Sequence, residues 1–249
     1  MFDCGVHLSG RSTRMSTAFL RTSLVAPAVL LLPVPMLIMA HEAHRAGLPD
    51  FASRAWDVDQ DRSFVEVYGY LQVLAAAALL VIFHRRRAAA PIYLGWAFAL
   101  SVVVLDDAFS LHERAGTWST RHLPLPDLPG LRLQDAGELL FWAVCGSLVL
   151  IVLVASHRMS SGVAQADSCH LGWIVALLMV FAVGVDMFHA ALPALTTASL
   201  ADQVAIDLEA AGEVVAMILF LLYVLHMWRR TGVPRTPYAA CSDEGTGLL

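Results

Sequence analysis

The sequence predicts an all-α polytopic membrane protein, a helix bundle with six transmembrane helices arranged as three repeated hairpins. Composition is the first observation, because 58% of the 249 residues are hydrophobic and only 15% are charged. A soluble domain carries about a quarter charged residues. Six apolar runs are the second observation, since each approaches the roughly 20 residues that span a bilayer core. The third is a motif that recurs in successive hairpins.

The six apolar runs define the predicted helices and a transmembrane domain at residues 19–230. Pro27, Pro33 and Pro35 interrupt the first run, so we expect a kinked first helix. Its charge order resembles a signal sequence, but the run is long and no A-x-A site follows it, which favours a retained signal anchor. The predicted helices cover about 19–40, 64–83, 91–111, 136–155, 171–191 and 208–228.

The two ends of the chain are polar. Residues 1–18 and 231–249 are predicted to be disordered cytoplasmic segments. Either Met1 or Met15 can be the start of translation. No basic patch with interleaved aromatic residues occurs, so nucleic acid is not an expected partner.

The arginines predict the orientation in the membrane. They precede the first helix and follow the second, fourth and sixth, whereas the opposite turns are rich in aspartate, glutamate and histidine. The positive-inside rule therefore places both termini in the cytoplasm and the acidic turns outside. The sequence predicts a multi-pass protein of the bacterial cytoplasmic (inner) membrane, with the lipid bilayer as its surroundings.

The third and fifth predicted helices share a pattern. Each begins with Leu-Gly-Trp, at 94–96 and 171–173, and each ends in aspartate followed by phenylalanine. The fourth and sixth open with Ala-Gly-Glu, at 136–138 and 211–213. Parallel repeats pack around an axis along the membrane normal, so their polar ends are expected to converge on one site near the outer face. The first hairpin fits more loosely, and its contribution to the site is left open.

Acidic residues inside apolar helices are costly and are candidates for function. Asp106 and Glu113 are seven residues apart, so they share a face if the helix continues that far. Asp186 and His189 are three apart, and Glu209 and Glu213 are four apart, so each pair can chelate one ion from one side. The predicted metal ligands are Asp106, Asp107, His112, Glu113, Asp186 and His189, and the predicted general bases are Glu138 and Glu213.

Carboxylates with imidazole suit a divalent metal, namely zinc, iron or manganese. Such an ion lowers the pKa of bound water, which predicts a membrane metal-dependent hydrolase acting on a lipid or small molecule from the outer leaflet. A cation or proton carrier or channel is one alternative, and a non-enzymatic membrane sensor or partner subunit is another. Taken singly, Glu42, His44 and Glu209 are interpreted as solvated interfacial charges.

The segment D-D-A-F-S-L-H-E at 106–113, with E-A-A-G-E at 209–213, resembles a group of uncharacterised bacterial multi-pass membrane proteins. These carry a D-[DE]-x-x-x-[IL]-H-E-like segment and a later glutamate-rich helix start. The resemblance covers roughly residues 90–230 and implies a family without an activity. The alkaline ceramidase-like membrane hydrolases are similar in using intramembrane aspartate and histidine, but they have seven helices and a late paired-histidine helix that this chain lacks.

Overall fold

Helices make up almost all of the chain that the computed structural model describes, which comprises residues 25–60, 62–86, 90–127, 131–189 and 199–231. No strand occurs within these ranges. The ends that were predicted to be disordered lie outside the described residues, except for Thr231. The predicted all-α class is confirmed.

Within the described ranges seven helices follow one another, with two short 3-10 turns at Pro49–Phe51 and Arg54–Trp56 between the first two. All but the fourth of them are long and apolar enough to cross a membrane, which confirms the predicted six spans and fits a multi-pass membrane protein. A turn at Leu32 interrupts the first helix just before Pro33. The helices are α1 (Val25–Arg45), α2 (Phe64–Arg86), α3 (Ile92–Phe109), α4 (Leu111–His122), α5 (Leu133–Arg158), α6 (Val163–His189) and α7 (Ser199–Thr231).

The bundle has two chemically different ends. At the basic end, arginines terminate α2, α5 and α7, at Arg86, Arg158 and Arg230. At the opposite end, which we call the acidic end, α1, α3 and α6 finish while α2, α5 and α7 begin. α2 packs along α3 and α7, and α1 contacts α7 and α2 at the edge of the bundle. The arrangement of three equivalent hairpins stays a prediction.

Apolar side chains fill the bundle from its middle to the basic end. The largest of them are almost completely buried and come from α2, α3, α6 and α7. On the outside, long apolar side chains such as Leu148 and Ile151 of α5 and Trp173 of α6 are exposed. An apolar surface of this extent suits lipid contact. The buried set includes Leu80, Phe83, Ile92, Tyr93, Leu171, Val224 and Met227.

A polar cluster at the basic end was missed in the sequence. The buried Asp167 accepts hydrogen bonds from the Tyr93 hydroxyl at 3.0 Å and the Tyr223 hydroxyl at 3.1 Å, and it also pairs with Arg230. These contacts tie α6 to α3 and α7. Asp167 escaped notice because the predicted helix begins at 171, whereas α6 begins at Val163, two turns earlier.

The predicted helix at 91–111 does not continue to Glu113. α3 ends at Phe109, and Ser110 adopts a left-handed conformation, with φ 47° and ψ 48°, before α4 starts at Leu111. The condition under which Asp106 and Glu113 would share one face, a helix that continues to Glu113, is therefore not met. Ser110 gives no sequence signal of this break, because serine is not a residue that favours positive φ.

Candidate functional site

A cavity of about 660 Å³ opens at the acidic end of the bundle. Its walls come from α2 to α7 and from the loop that follows α1. Every predicted site residue lines it except Asp106. Asp59, Glu66 and Glu209 line it as well and were not among the predicted site residues. The polar and charged lining comprises Asp59, Glu66, Asp107, His112, Glu113, Arg132, Gln134, Glu138, Asp186, His189, Glu209 and Glu213.

The charge of this lining is strongly unbalanced. Eight of the lining residues are carboxylic acids and one is an arginine. That arginine, Arg132, already pairs with Asp135 at 2.7 Å, and the same two residues form the capping box that starts α5. Asp135 is buried and lies outside the lining. The cavity therefore concentrates negative charge that its own arginine does not neutralise.

The junction of α3 and α4 fixes the first candidate ligands. Asp106, only 1% exposed, accepts a hydrogen bond from the backbone N–H of His112 at 2.9 Å, which satisfies one of the free N–H groups at the start of α4. Its other oxygen lies 3.0 Å from His112 Nδ1. Asp106 therefore orients the imidazole and leaves Nε2 as the nitrogen that can bind a ligand.

Asp106, Asp107 and His112 each offer one ligand atom, and these atoms lie within 4.8 Å of one another. Burial lowers the pKa of His112, but the hydrogen bond and charge of Asp106, with the charges of Asp107 and Glu138, outweigh burial and raise the pKa from 6.5 to about 9. The imidazole is consequently protonated at neutral pH while no cation replaces its proton.

Two glycines bring α4 against α5 beside this group. A Cβ added at Gly137 would lie 2.9 Å from the Cα and the carbonyl oxygen of Gly116, so the two backbones touch there. The contact places Glu113 of α4 and Glu138 of α5 in one cavity wall. The Gln134 side chain amide donates to Glu138 at 2.9 Å and holds that carboxylate in place.

α6 reaches the cavity through an irregular turn. Residues Val180–Val185 form a π-helical segment, a feature often found next to functional sites, and Asp186 follows it directly. His189 lies 3.0 Å from Asp202 through Nε2 and 3.7 Å from Glu209 through Nδ1. Asp186 and His189 both line the cavity, and their joint chelation of one ion stays a prediction.

α7 and α2 supply the remaining acids. A Cβ at Gly212 would lie 2.2 Å from the Phe181 ring, so α7 packs closely on the π-helical segment and presents Glu213 to the cavity. Glu66 of α2 accepts hydrogen bonds from the Tyr70 hydroxyl at 3.1 Å and from the backbone N–H of Arg62 at 2.5 Å. Glu66 lies in the first turn of α2, so its place in the sequence could have predicted it as a site residue. It was not predicted because the first hairpin matches the repeated pattern only loosely.

The loop between α1 and α2 closes one side of the cavity with Val58 and Asp59. Burial, followed by the nearby charge of Asp57, raises the pKa of Asp59 above its usual value. A carboxylic acid in such surroundings takes up a proton more readily than an exposed one. The loop therefore adds to the excess of acidic groups around the cavity.

Comparison with known proteins gives a family and no activity. No curated protein and no solved structure matches the chain. One family model matches residues 22–228, which include all seven helices except the end of α7 and all of the cavity lining. The chain belongs to this family, which is described as a domain of unknown function, DUF8692.

Proposed function

We propose that this protein is a membrane metalloprotein that binds a divalent cation in the acidic cavity. The observation that carries the proposal is the lining itself, in which eight carboxylic acids and two histidines surround one space with a single, already paired arginine. Carboxylates in close proximity cannot all remain ionised unless protons or cations offset their repulsion. A divalent cation held by several of them meets that requirement.

The donor set favours particular metals. Carboxylate and imidazole ligands without thiolate suit zinc, iron or manganese. Asp107 and His112 are the proposed first ligands, with Asp186 of α6 as a further one. The hydrogen bond from His112 Nδ1 to Asp106 supports this assignment, because metal-binding histidines commonly donate their second N–H to a carboxylate that fixes the ring.

The proposed chemistry is hydrolysis. A bound divalent ion supplies Lewis acidity and makes water a nucleophile near neutral pH. Glu138 and Glu213 lie in the same lining and are the proposed general bases, since each is a carboxylate next to the proposed ligands. The substrate we propose is a lipid or small molecule that enters from the outer leaflet.

The proposed orientation follows from charge. Arginines gather at the basic end, so both termini are proposed to be cytoplasmic and the cavity to open on the outer side of a bacterial inner membrane. A carrier function is less well supported. Between the cavity and the basic end, Val73, Leu100 and Phe220 are at most 2% exposed and belong to one packed apolar core. A cation crossing that layer would lose its hydration without finding ligands.

Metal analysis of the full chain tests the proposal. Protein purified in mild detergent without chelator, then dialysed against zinc, iron(II) or manganese(II) in turn, is expected to hold one of these ions at about one equivalent or more. The Asp107→Asn/His112→Gln variant should hold one equivalent of that ion less than the wild type, whereas Asp127→Asn, at an exposed aspartate outside the cavity lining, should bind as much as the wild type. Wild-type protein that retains none of the three ions would refute the proposal.

A further inference from the structure

We propose a second metal site, separate from the cavity, at the end of α1, with His41, Glu42 and Asp207 as its ligands. One ligand atom from each residue lies within 4.8 Å of the other two. None of the three lines the cavity. His41 and Glu42 belong to the last turns of α1, whereas Asp207 lies in α7, so the site joins two helices that are far apart in the sequence.

Two buried polar atoms of this group have no hydrogen-bond partner. His41 is 2% exposed, and its Nε2 and Asp207 Oδ1 are buried without a hydrogen-bond partner. Among the described residues, these are the side-chain atoms in that condition. Buried polar atoms are nearly always satisfied, and an exception usually marks a missing ligand or water. Here both orphaned atoms face each other, which locates the missing ligand between them.

The distance between the two atoms suits a metal ion. His41 Nε2 and Asp207 Oδ1 are 3.9 Å apart, too far for a hydrogen bond. Zinc binds histidine nitrogen and carboxylate oxygen at about 2.0–2.2 Å, so two such ligands around a tetrahedral ion lie about 3.4 Å apart. A closure of about 0.5 Å therefore brings both atoms into coordination distance of one ion.

The hydrogen bonds of His41 Nδ1 indicate which ring nitrogen carries the proton before and after a metal ion binds at Nε2. Nδ1 accepts a hydrogen bond from the Val58 N–H at 3.2 Å, so in the neutral ring the proton sits on Nε2. An ion at Nε2 displaces this proton, and the neutral ring then carries its proton on Nδ1, which releases the Val58 N–H and can donate instead to Asp57 Oδ1, 3.5 Å away. The product is a carboxylate–histidine–metal arrangement, with Asp57 as the orienting carboxylate.

The two carboxylate ligands differ in availability. Asp207 has an unpartnered oxygen, whereas Glu42 is exposed and already accepts from Arg45 Nη1 at 3.0 Å. Glu42 must exchange that exposed ion pair for the metal, so it is expected to be the weaker ligand. One imidazole with two carboxylates leaves a coordination position for water and suits zinc or another borderline divalent ion.

The site connects to the cavity through the loop after α1. Val58 and Asp59, which line the cavity, directly follow Asp57, the proposed partner of His41. An ion bound by α1 and α7 therefore fixes the position of the loop that forms one cavity wall. This connection extends the proposed function, but the existence of the second site does not depend on it.

Zinc titration of the full chain in detergent separates the two sites. The Asp107→Asn/His112→Gln variant, stripped with chelator and dialysed against zinc alone, is expected to retain one equivalent. Adding His41→Gln or Asp207→Asn to it should weaken zinc binding at least a hundredfold, and adding Glu42→Gln about tenfold. Asp50→Asn, at an exposed aspartate of the same loop, is the matched control and should leave the titration unchanged.

The outcomes are distinguishable from those of the cavity site. Zinc lost completely in the Asp107→Asn/His112→Gln variant would overturn the second site and leave the proposed function standing. X-ray absorption of the retained zinc should show one histidine nitrogen among oxygen ligands. If His41→Gln does not fold, the exposed Glu42→Gln change is the deciding variant. The proposal would be refuted if Glu42→Gln bound zinc as tightly as the Asp107→Asn/His112→Gln parent and the absorption spectrum showed no histidine ligand.

Discussion

The contact between α4 and α5 predicts opposite effects for two identical substitutions in one helix. Gly137→Ala places a methyl group against the backbone of Gly116, whereas Gly146→Ala, in the middle of α5, has no heavy atom within 4 Å of the new carbon. Both changes add the same methyl group to an α-helix. The difference between their free energies of unfolding therefore depends on the close contact of α4 with α5 and not on the intrinsic helix propensity of alanine.

The magnitude follows from the geometry. The Gly137 methyl carbon would lie 2.9 Å from Gly116 Cα, whereas carbon atoms in contact prefer about 3.5–4.0 Å. α4 must therefore move away by about 0.6–1 Å, and overpacking of this kind costs about 1–3 kcal/mol. Gly146→Ala should instead stabilise the helix by up to about 1 kcal/mol. The two variants should differ by about 1–4 kcal/mol.

Thermal unfolding in detergent, followed by tryptophan fluorescence, measures this difference as a change in Tm. Under the proposed function, Gly137→Ala should also weaken metal binding at least tenfold, since α4, which must move away, carries the proposed ligand His112. Gly146→Ala should leave metal binding unchanged. Equal Tm values for the two variants would show that α4 and α5 do not cross through these glycines, and the geometry of the site would have to be rebuilt.

Three further predictions test other contacts. Asp106→Asn should lower the NMR-measured pKa of His112 from about 9 toward 6.5 or below. Because the folded-state pKa is the higher one, the part of the stability difference that comes from protonated His112 should be present in full below pH 6.5 and be lost as pH rises through about 9. Gly212→Ala should lower Tm by several degrees, because its methyl group overlaps the Phe181 ring, whereas Gly172→Ala, in open space, should not. Asp167→Asn should cost about 1–3 kcal/mol, since Arg230 is left without its carboxylate but stays 43% exposed, and an unchanged Tm would exclude a structural role for Asp167.

The six spans were predictable because a bilayer restricts both length and composition. A helix in hydrocarbon needs about 20 apolar residues, and that requirement is visible in any single sequence. The presence of acids at one end was visible for the same reason, since charges inside apolar runs stand out. Asp107, Glu138, Asp186 and Glu213 were therefore identified as candidates, and all four line the cavity.

What the sequence did not reveal depends on local geometry without a residue signature. Ser110 breaks the helix between Asp106 and His112, and only this break turns a spacing of six into a hydrogen-bonded pair. The π-helical segment at Val180–Val185 likewise carries no marker residue. Asp59 looks like a solvated interfacial charge until the packing of its loop encloses it, whereas Glu209 looks so only when its spacing from Glu213 is left aside.

The recurring Ala-Gly-Glu motif has a packing explanation that does not require duplication. In α5, Gly137 lets the helix touch Gly116; in α7, Gly212 lets it touch Phe181. In both cases the next residue is a glutamate that lines the cavity. A helix segment that must approach its neighbour closely and deliver a carboxylate one residue later needs glycine followed by an acid.

α2 meets the same requirement with a different spacing. Gly69 faces Met217 Sδ, which a Cβ would approach to 2.5 Å, and the cavity acid Glu66 precedes this glycine by three residues. The three helices that begin at the acidic end therefore each combine a close glycine contact with a cavity glutamate, in two different orders. Selection for one acidic site explains this pattern as well as duplication of one ancestral hairpin does. The motif therefore supports the meeting of these helices at the cavity, and the three-hairpin repeat stays a prediction.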